Sequence, residues 1–187
     1  MRQINFEKLF KTEKQRQFNT DFFKDADAYE AWDEIDFSSQ EEFDGERTFE
    51  IKAEDMQYYA EGALDDNPLM NDEKYAEKSP YGELVPHPIF ATQIAFWCIG
   101  EKGKCNWIRT PGSRNPGQEF EFYEPFRMGE TIHIKIRPYD RYLKRGKFYL
   151  KYRIDFYNQD NVKKATWVIA LILPRTKEDI KKLVEGY

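Results

Sequence analysis

The chain has 187 residues, of which 40% are hydrophobic and 17% aromatic, enough for one domain with a substantial core but not comfortably for two. Its formal net charge of -5, with both signs interspersed, gives no basic field for DNA or RNA, so nucleic acid is not an expected partner. Cys98 and Cys105 have no second Cys or His pair nearby, so neither a disulfide framework nor a metal site is predicted.

The first 45 residues are acidic and aromatic and lack a clean hydrophobic period, as in DAYEAWDEIDFSSQEEFDGE. They predict short helices and loops that pack on the main domain through aromatic side chains such as Trp32 and Phe37. No apolar run approaches the roughly 18 residues that a membrane span requires, and the charged N-terminus does not resemble an export signal. We therefore expect a cytoplasmic protein with reduced thiols and no membrane anchor.

The main domain begins at residue 46 with RTFEIK, in which Phe49 and Ile51 alternate with polar neighbours as in a half-buried strand. A helix is predicted over AEDMQYYAEGAL, where apolar residues recur at helical spacing behind two acidic residues. A second helix is predicted over PIFATQIAFWCIG, because Pro88 suits a first turn and Gly100 ends the pattern. The second helix is apolar around most of its circumference, so we expect it to be buried on nearly all sides.

Four strand-like runs follow a loop, TPGSRNPG, and they are QEFEFY, ETIHIKIRPYD, KFYLKYRIDFYN and KKATWVIALILP. The middle two alternate apolar and polar residues, which predicts long antiparallel strands with one buried face, and the last is typical of a central strand. TKEDIKKLVEGY predicts a C-terminal helix. An antiparallel sheet wrapped around one long buried helix is an α+β arrangement, the hot dog fold. We assign it to residues 46–174, between an N-terminal extension at 1–45 and a C-terminal helix at 175–187.

The stretch LDDNPLMNDEKYAEKSPYGELVPHPIFA, residues 64–91, resembles the (R)-specific enoyl-CoA hydratases and MaoC-like dehydratases, including the FAS1-like dehydratases. In that family a Gly-Asp-x-Asn-Pro-aliphatic-His motif precedes an Asp, an Ala and then a His-Gly pair at the start of the buried helix. The likeness extends over roughly residues 47–174. The residues that match without a gap are Asp65, Asn67, Pro68, Leu69, Asp72, Ala76 and His87.

The resemblance implies that the chain adds water to a trans-2-enoyl thioester or removes it from an (R)-3-hydroxyacyl thioester, without a cofactor or metal. It implies that Asp65 is the base, that Asn67 is a positioning residue, and that His87 is a displaced catalytic partner. The thioester would be carried by coenzyme A or by an acyl carrier protein. The residues expected to bind the substrate are Met70, Tyr81, Gly82, Ile89 and Phe90.

Three positions depart from the motif. Leu64 replaces its Gly, Met70 replaces the catalytic His, and Pro88 replaces the Gly that follows the helix-start His. Met70 cannot exchange a proton with water. Pro88 has no N–H with which to stabilise charge on the thioester oxygen, and the loss of one such donor typically lowers turnover about 100- to 1000-fold.

Several candidate residues also have structural interpretations. DDNP is ordinary turn chemistry, in which Asp and Asn side chains cap backbone amides. His87 can equally form a hydrogen bond with the loop backbone. Basic residues near the loop, Lys102, Lys104, Arg109 and Arg114, suit the phosphates of coenzyme A, but a solvated charged loop explains them as well.

Two other functions are consistent with the same fold. A hot dog subunit without its own reaction can shape the acyl pocket of a hetero-oligomeric dehydratase, which the replacements at Met70 and Pro88 favour. Thioester hydrolysis needs an acid opposite the helix start, for which Glu83 or Asp65 is available. In each case we expect a homodimer or a complex with another hot dog chain, because an open sheet edge invites pairing.

Overall fold

The structure is a computed structural model, and it describes residues 10–17, 26–38, 41–101 and 105–185. These residues form two compact units, each assembled from separate stretches of the chain. The predicted boundaries of the extension, the hot dog domain and the C-terminal helix stay predictions. Unit 1 is drawn from Met1–Thr20, Glu50–Thr92 and Phe126–Glu130, and unit 2 from Asp21–Phe49, Gln93–Pro125 and Thr131–Tyr187.

The helices are short except where an apolar or amphipathic pattern extends over about ten residues. The predicted helix after Ile51 is present, with Lys52 at its N-cap and acidic residues in its first turn. The α-helices are α1 (Glu13–Gln17), α2 (Ala53–Gly62), α3 (Pro68–Asn71), α4 (Glu73–Glu77), α5 (Ala91–Ile99) and α6 (Lys177–Glu185), and 3-10 turns occur at Ala26–Ala28, Trp32–Glu34 and Trp107–Arg109.

Within the described ranges the sheet has six strands, and the four long runs predicted from the sequence are all present. The strands are β1 (Phe43–Asp44), β2 (Phe49–Glu50), β3 (Arg114–Phe122), β4 (Thr131–Lys144), β5 (Lys147–Tyr157) and β6 (Lys163–Leu173). Along the order β1-β4-β5-β6-β3 the neighbouring strands are antiparallel, and the short strand β2 also pairs with β4.

Alternating burial explains why these segments form strands. In β4 every second residue from Ile132 to Pro138 is buried, while the residues between them are half-buried. Since side chains of a strand point alternately to opposite faces, this pattern places one face of the sheet in the core of unit 2. The fully buried side chains of β5 and β6 continue that face, and the largest are Tyr152, Ile154, Phe156, Trp167 and Ile169.

The apolar helix α5 is shorter than the sequence predicts. Residues 88–90 form a turn in which the Phe90 N–H donates to the His87 carbonyl at 2.9 Å, and the helix proper begins at Ala91. Gly100, with a φ of +80°, ends it in the conformation that glycine adopts most easily. Within unit 2 the Ile94, Ala95 and Cys98 side chains are fully buried. Phe96 is 38% exposed, so one side of the helix is less enclosed than expected.

Gly45 lies where α5 ends beside β4, and its N–H donates to the Ile134 carbonyl at 2.9 Å. A Cβ at this position would lie 2.7 Å from Ile134 Cγ1 and 2.8 Å from the Cys98 carbonyl oxygen, closer than atoms pack. We therefore expect Gly45→Ala to lower the free energy of unfolding by about 1–3 kcal/mol, as overpacking does. Urea denaturation followed by tryptophan fluorescence measures the change.

Gly62 provides the matched control for that substitution. It is the last residue of α2, and a Cβ there meets nothing within 4 Å. Gly62→Ala should leave stability unchanged or raise it by about 0.5 kcal/mol, because alanine favours the helix. Equal unfolding midpoints for the two variants would show that the close approach at Gly45 is not as tight as the distances indicate.

Candidate functional site

The site candidates of unit 1 begin at the turn that follows α2. Leu64 has a φ of +56°, in the left-handed region that favours glycine, which is the residue that the motif has at this position. A residue with a Cβ pays about 1–2 kcal/mol for that conformation. The Leu64 side chain is 92% exposed, so the replacement affects the stability of the turn and not the packing of the core.

The loop after Leu64 is shaped by its own polar side chains. Asp65 Oδ1 accepts a hydrogen bond from the Asn67 backbone N–H at 3.0 Å. Asn67 Oδ1 accepts one from the Leu69 N–H at 3.1 Å and so caps α3, with Pro68 at the first helical position. The turn chemistry expected for DDNP is therefore present, and it uses only one of the two Asp65 carboxylate oxygens.

Asn71 forms hydrogen bonds within this loop and with α2. Its Nδ2 donates to the Asp65 carbonyl at 2.8 Å and to the Asn67 carbonyl at 3.2 Å, which uses both amide hydrogens. Gln57 of α2 in turn donates to the Asn71 carbonyl at 3.2 Å. The Asp65 backbone is thus held at its carbonyl by Asn71 and at its N–H, which donates to the Ala60 carbonyl at 2.9 Å.

His87 lies in the extended segment that leads to α5. This segment runs beside the Asp65 loop, since the Val85 N–H donates to the Leu69 carbonyl at 2.9 Å. His87 Nδ1 accepts a hydrogen bond from the Ile89 N–H at 3.2 Å. The sequence also allowed a structural role for His87, a hydrogen bond with the loop backbone, and this hydrogen bond is present. Because Nδ1 accepts, the proton of the neutral imidazole resides on Nε2.

The side chains of the two candidate catalytic residues, Asp65 and His87, approach each other beside this loop. His87 Nε2 lies 3.9 Å from Asp65 Oδ2, too far for a direct hydrogen bond but close enough for one water to contact both atoms. The side chains are 20% and 30% exposed, respectively, so solvent reaches the pair. The structure therefore brings together an N–H donor and a carboxylate acceptor, close enough for one water beside them to contact both.

Tyr59 of α2 contacts the same region, and no sequence motif indicated it. Its ring lies 5.4 Å from the His87 ring and packs edge-on against Phe90, with ring centroids 5.5 Å apart. Its hydroxyl lies 3.1 Å from the Ile89 carbonyl oxygen and 3.2 Å from Thr92 Oγ1. The helical period places Tyr59 on a buried face but cannot reveal contacts with residues about 30 positions away.

The predicted substrate-binding residues divide between core and surface. Phe90 is fully buried and Met70 is 8% exposed, whereas Ile89 is 39% exposed and its N–H contacts His87. Tyr81 is 59% exposed and Gly82, with a φ of +71°, continues an exposed turn. Within the described parts of the chain, the Tyr81 side chain forms no hydrogen bond or ring contact with the Asp65 loop.

Other charged candidates have structural partners. Glu83 Oε1 accepts a hydrogen bond from Arg127 Nη1 at 2.8 Å, so this carboxylate is already paired. Arg109 is buried in unit 2, where its guanidinium lies over the Phe96 ring and donates to the Phe96 carbonyl. Burial lowers the pKa of Arg109 to about 10. Lys102 and Lys104 lie outside the described residues.

Among the described residues, no group of three His, Cys, Asp or Glu side chains could hold a metal ion. Within the same ranges, no helix is long and apolar enough to cross a membrane.

No protein-family model matches the chain. A curated 3-hydroxybutyryl-CoA dehydratase of Methylorubrum extorquens is 25% identical over 87 residues, which are 46% of this chain and 52% of the dehydratase. The chain therefore spans about half the length of that relative.

Solved structures share the fold. An R-hydratase, PhaJ1 of Pseudomonas aeruginosa, superposes with a TM-score of 0.61 at 18% identity and covers 78% of this chain and 86% of its own. The HadBC complex of Mycobacterium tuberculosis, described as a 3R-hydroxyacyl-ACP dehydratase, matches with a TM-score of 0.60 at 19% identity, over 71% of this chain and 94% of its own. MaoC-like dehydratases are similar as well. The predicted resemblance and the hot dog fold are confirmed.

Proposed function

We propose that this chain is an acyl-thioester hydratase or dehydratase in which Asp65 and His87 act on the same water molecule. The observation that carries the proposal is the 3.9 Å separation of Asp65 Oδ2 and His87 Nε2. A carboxylate beside a neutral imidazole that donates from Nε2 supplies an acceptor and a donor for one water. The fold of the R-hydratase and the 3R-hydroxyacyl-ACP dehydratase supports the same reaction class.

The proposed reaction consumes one water, which supplies both the hydroxyl group and the proton that are added. Asp65 takes a proton from the water as the water oxygen bonds to the β-carbon of the enoyl thioester. The double-bond electrons move to the α-carbon and the thioester oxygen. The same proton then passes to the α-carbon, which restores the Asp65 carboxylate, and dehydration reverses these steps. His87 holds the water through Nε2–H, because its Nδ1 is occupied by the Ile89 N–H.

The substrate class follows from the reaction and from the relatives. We propose an enoyl or (R)-3-hydroxyacyl group carried as a coenzyme A or carrier-protein thioester, as the names of the curated relative and the HadBC complex suggest. A cytoplasmic location fits these carriers, and it suits two buried cysteines, Cys98 and Cys105, that do not form a disulfide.

The purified chain should hydrate crotonyl-CoA, which is measured as loss of the enoyl-thioester absorbance. The 3-hydroxybutyryl product should have the (R) configuration. Release of free thiol, measured in parallel, would instead indicate hydrolysis of the thioester. An inert chain that retains its fold would contradict the catalytic proposal.

A second function is favoured by two positions. Met70 is buried and cannot take part in proton transfer, and Pro88 cannot donate from its backbone. A subunit that shapes the acyl pocket while another hot dog chain supplies the reaction needs neither group. Strand β3 is exposed along most of its length at one end of the sheet order, which is the kind of edge that pairs with another chain.

Purification from the native source would separate the two functions. A hot dog chain that accompanies this one in a fixed ratio, and without which crotonyl-CoA is not hydrated, would indicate the subunit. A homo-oligomer that is active alone would indicate the enzyme.

A further inference from the structure

The Ile89 carbonyl, at the start of α5, has more hydrogen-bond donors than it can accept. The Thr92 N–H lies 3.0 Å from its oxygen, Thr92 Oγ1 lies 2.8 Å away, and the Tyr59 hydroxyl lies 3.1 Å away. A carbonyl oxygen has two lone pairs. Three donors therefore compete for two positions, so the carbonyl stays satisfied without one of the two hydroxyls.

The two hydroxyls also contact each other, so Thr92 Oγ1 is a second acceptor for the Tyr59 proton when no substrate is bound. Their oxygens are 3.2 Å apart, and either can donate to the other. Thr92 Oγ1 has the shorter contact with the Ile89 carbonyl, so Thr92 is the better of the two to remain there. The Tyr59 O–H can then rotate about its C–O bond without leaving the carbonyl unsatisfied.

A donor is needed at this helix start, because the backbone N–H groups there are occupied or absent. Pro88 has none, the Ile89 N–H donates to His87 Nδ1, and the Phe90 N–H donates to the His87 carbonyl. The next residue, Ala91, is fully buried. The negative charge that develops on a thioester oxygen beside His87 therefore requires a side-chain donor.

We propose that the Tyr59 hydroxyl is that donor: it stabilises the thioester oxygen in place of the backbone N–H that Pro88 lacks. This inference rests on the proposed function. The Tyr59 ring lies beside the His87 ring, with centroids 5.4 Å apart, so its hydroxyl and the proposed water site belong to one cluster in unit 1. Thr92 acts as a positioning residue, since its hydroxyl keeps the Ile89 carbonyl satisfied while Tyr59 turns.

The chemistry requires only a hydrogen bond and no net proton transfer to the oxygen. As the water attacks the β-carbon, electron density moves onto the thioester oxygen, and the Tyr59 O–H dipole stabilises it. When the α-carbon takes its proton, the carbonyl re-forms and the hydrogen bond weakens. A donor that acts mainly at this stage changes turnover more than substrate binding.

Tyr59→Phe is the direct test, because it removes the hydroxyl and keeps the ring that packs on His87 and Phe90. We expect kcat for crotonyl-CoA hydration to fall about 100- to 1000-fold, with a much smaller change in KM. Tyr58→Phe is the matched control, since it removes a hydroxyl from the adjacent residue of α2 and retains the ring beneath Lys11. Thr92→Val should lower kcat less than Tyr59→Phe, and Thr92→Ser should restore it.

A spectroscopic readout separates a donor from a residue that only holds His87 in place. The absorbance of bound cinnamoyl-CoA moves to longer wavelength when a donor polarises its carbonyl. We expect this shift with the unmodified chain and with Tyr58→Phe, and its loss in Tyr59→Phe even though the thioester still binds. Full turnover and a full shift in Tyr59→Phe would overturn the inference and leave the proposed hydratase intact. A shift that depends on Tyr59 in a chain without turnover would support the donor and overturn independent catalysis.

Discussion

Asp65→Asn should lower the rate of crotonyl-CoA hydration about 100- to 10,000-fold, the range expected when a general base is removed. The amide has nearly the shape of the carboxylate, and its oxygen can still accept the hydrogen bond from the Asn67 N–H that shapes the loop. It cannot take a proton from a water held near His87 Nε2. The loss should therefore appear in kcat, while the free energy of unfolding stays within about 0.5 kcal/mol of the original value.

Asp66→Asn is the control for charge and position. Asp66 neighbours Asp65 and is exposed, and among the described residues its side chain makes none of the contacts that shape the site. This variant should retain the full hydration rate. Full activity in both variants would remove Asp65 from the mechanism, whereas equal losses in both would point to the net charge of the loop instead of to one carboxylate.

The sheet was largely predictable because burial of one face imposes a period of two on the sequence. The exceptions occur where local chemistry overrides that period. Strand β3 begins at Arg114, inside the predicted loop, with a register shift before Gly117. Asn115 Oδ1 accepts from the Gly117 N–H at 3.0 Å, and Pro116 is tolerated because the strand lies at an edge. Strand β2 is only two residues long, although RTFEIK alternates over more.

The candidate site was predictable only as far as local spacing and the motif extend. The motif register predicted Asp65 and His87 as partners, and turn chemistry predicted the cap that Asn67 forms. The contacts of Tyr59 with Ile89 and Thr92 join segments 30 and 33 residues apart, so no period or spacing in the sequence indicates them. The roles of these residues in binding and catalysis stay predictions.

Asp155→Ala is expected to have the largest effect on stability, about 2–4 kcal/mol. Asp155 lies on β5, 5% exposed, and its carboxylate accepts from Arg153 Nε and Nη2 at 2.8 and 2.9 Å. Lys163 Nζ lies 2.8 Å away, and the Thr166 hydroxyl also donates to Asp155. Removing the carboxylate leaves two cations without their anion in the sheet, which is strongly destabilising. About a quarter of each cationic side chain is exposed, so water offsets part of the loss.

The pH dependence of unfolding distinguishes a loss of charge from a loss of packing. Burial alone would raise the pKa of Asp155, but the hydrogen bonds from Arg153, Lys163 and Thr166 outweigh it and lower the pKa. A folded-state pKa below the unfolded value of about 3.9 means that the stabilisation is fully present above that value. It is lost as pH falls through the folded-state pKa. Asp155→Asn keeps the volume of the side chain. Its free energy of unfolding should therefore differ from that of the original chain by a constant amount between about pH 5 and 7, and the difference should shrink below pH 4.

Asp140→Asn is the control, at an exposed position of β4, and its free energy of unfolding should show no such difference. If the gap between Asp155→Asn and the original chain persisted unchanged into acid, the negative charge of Asp155 would not be the source of the stabilisation.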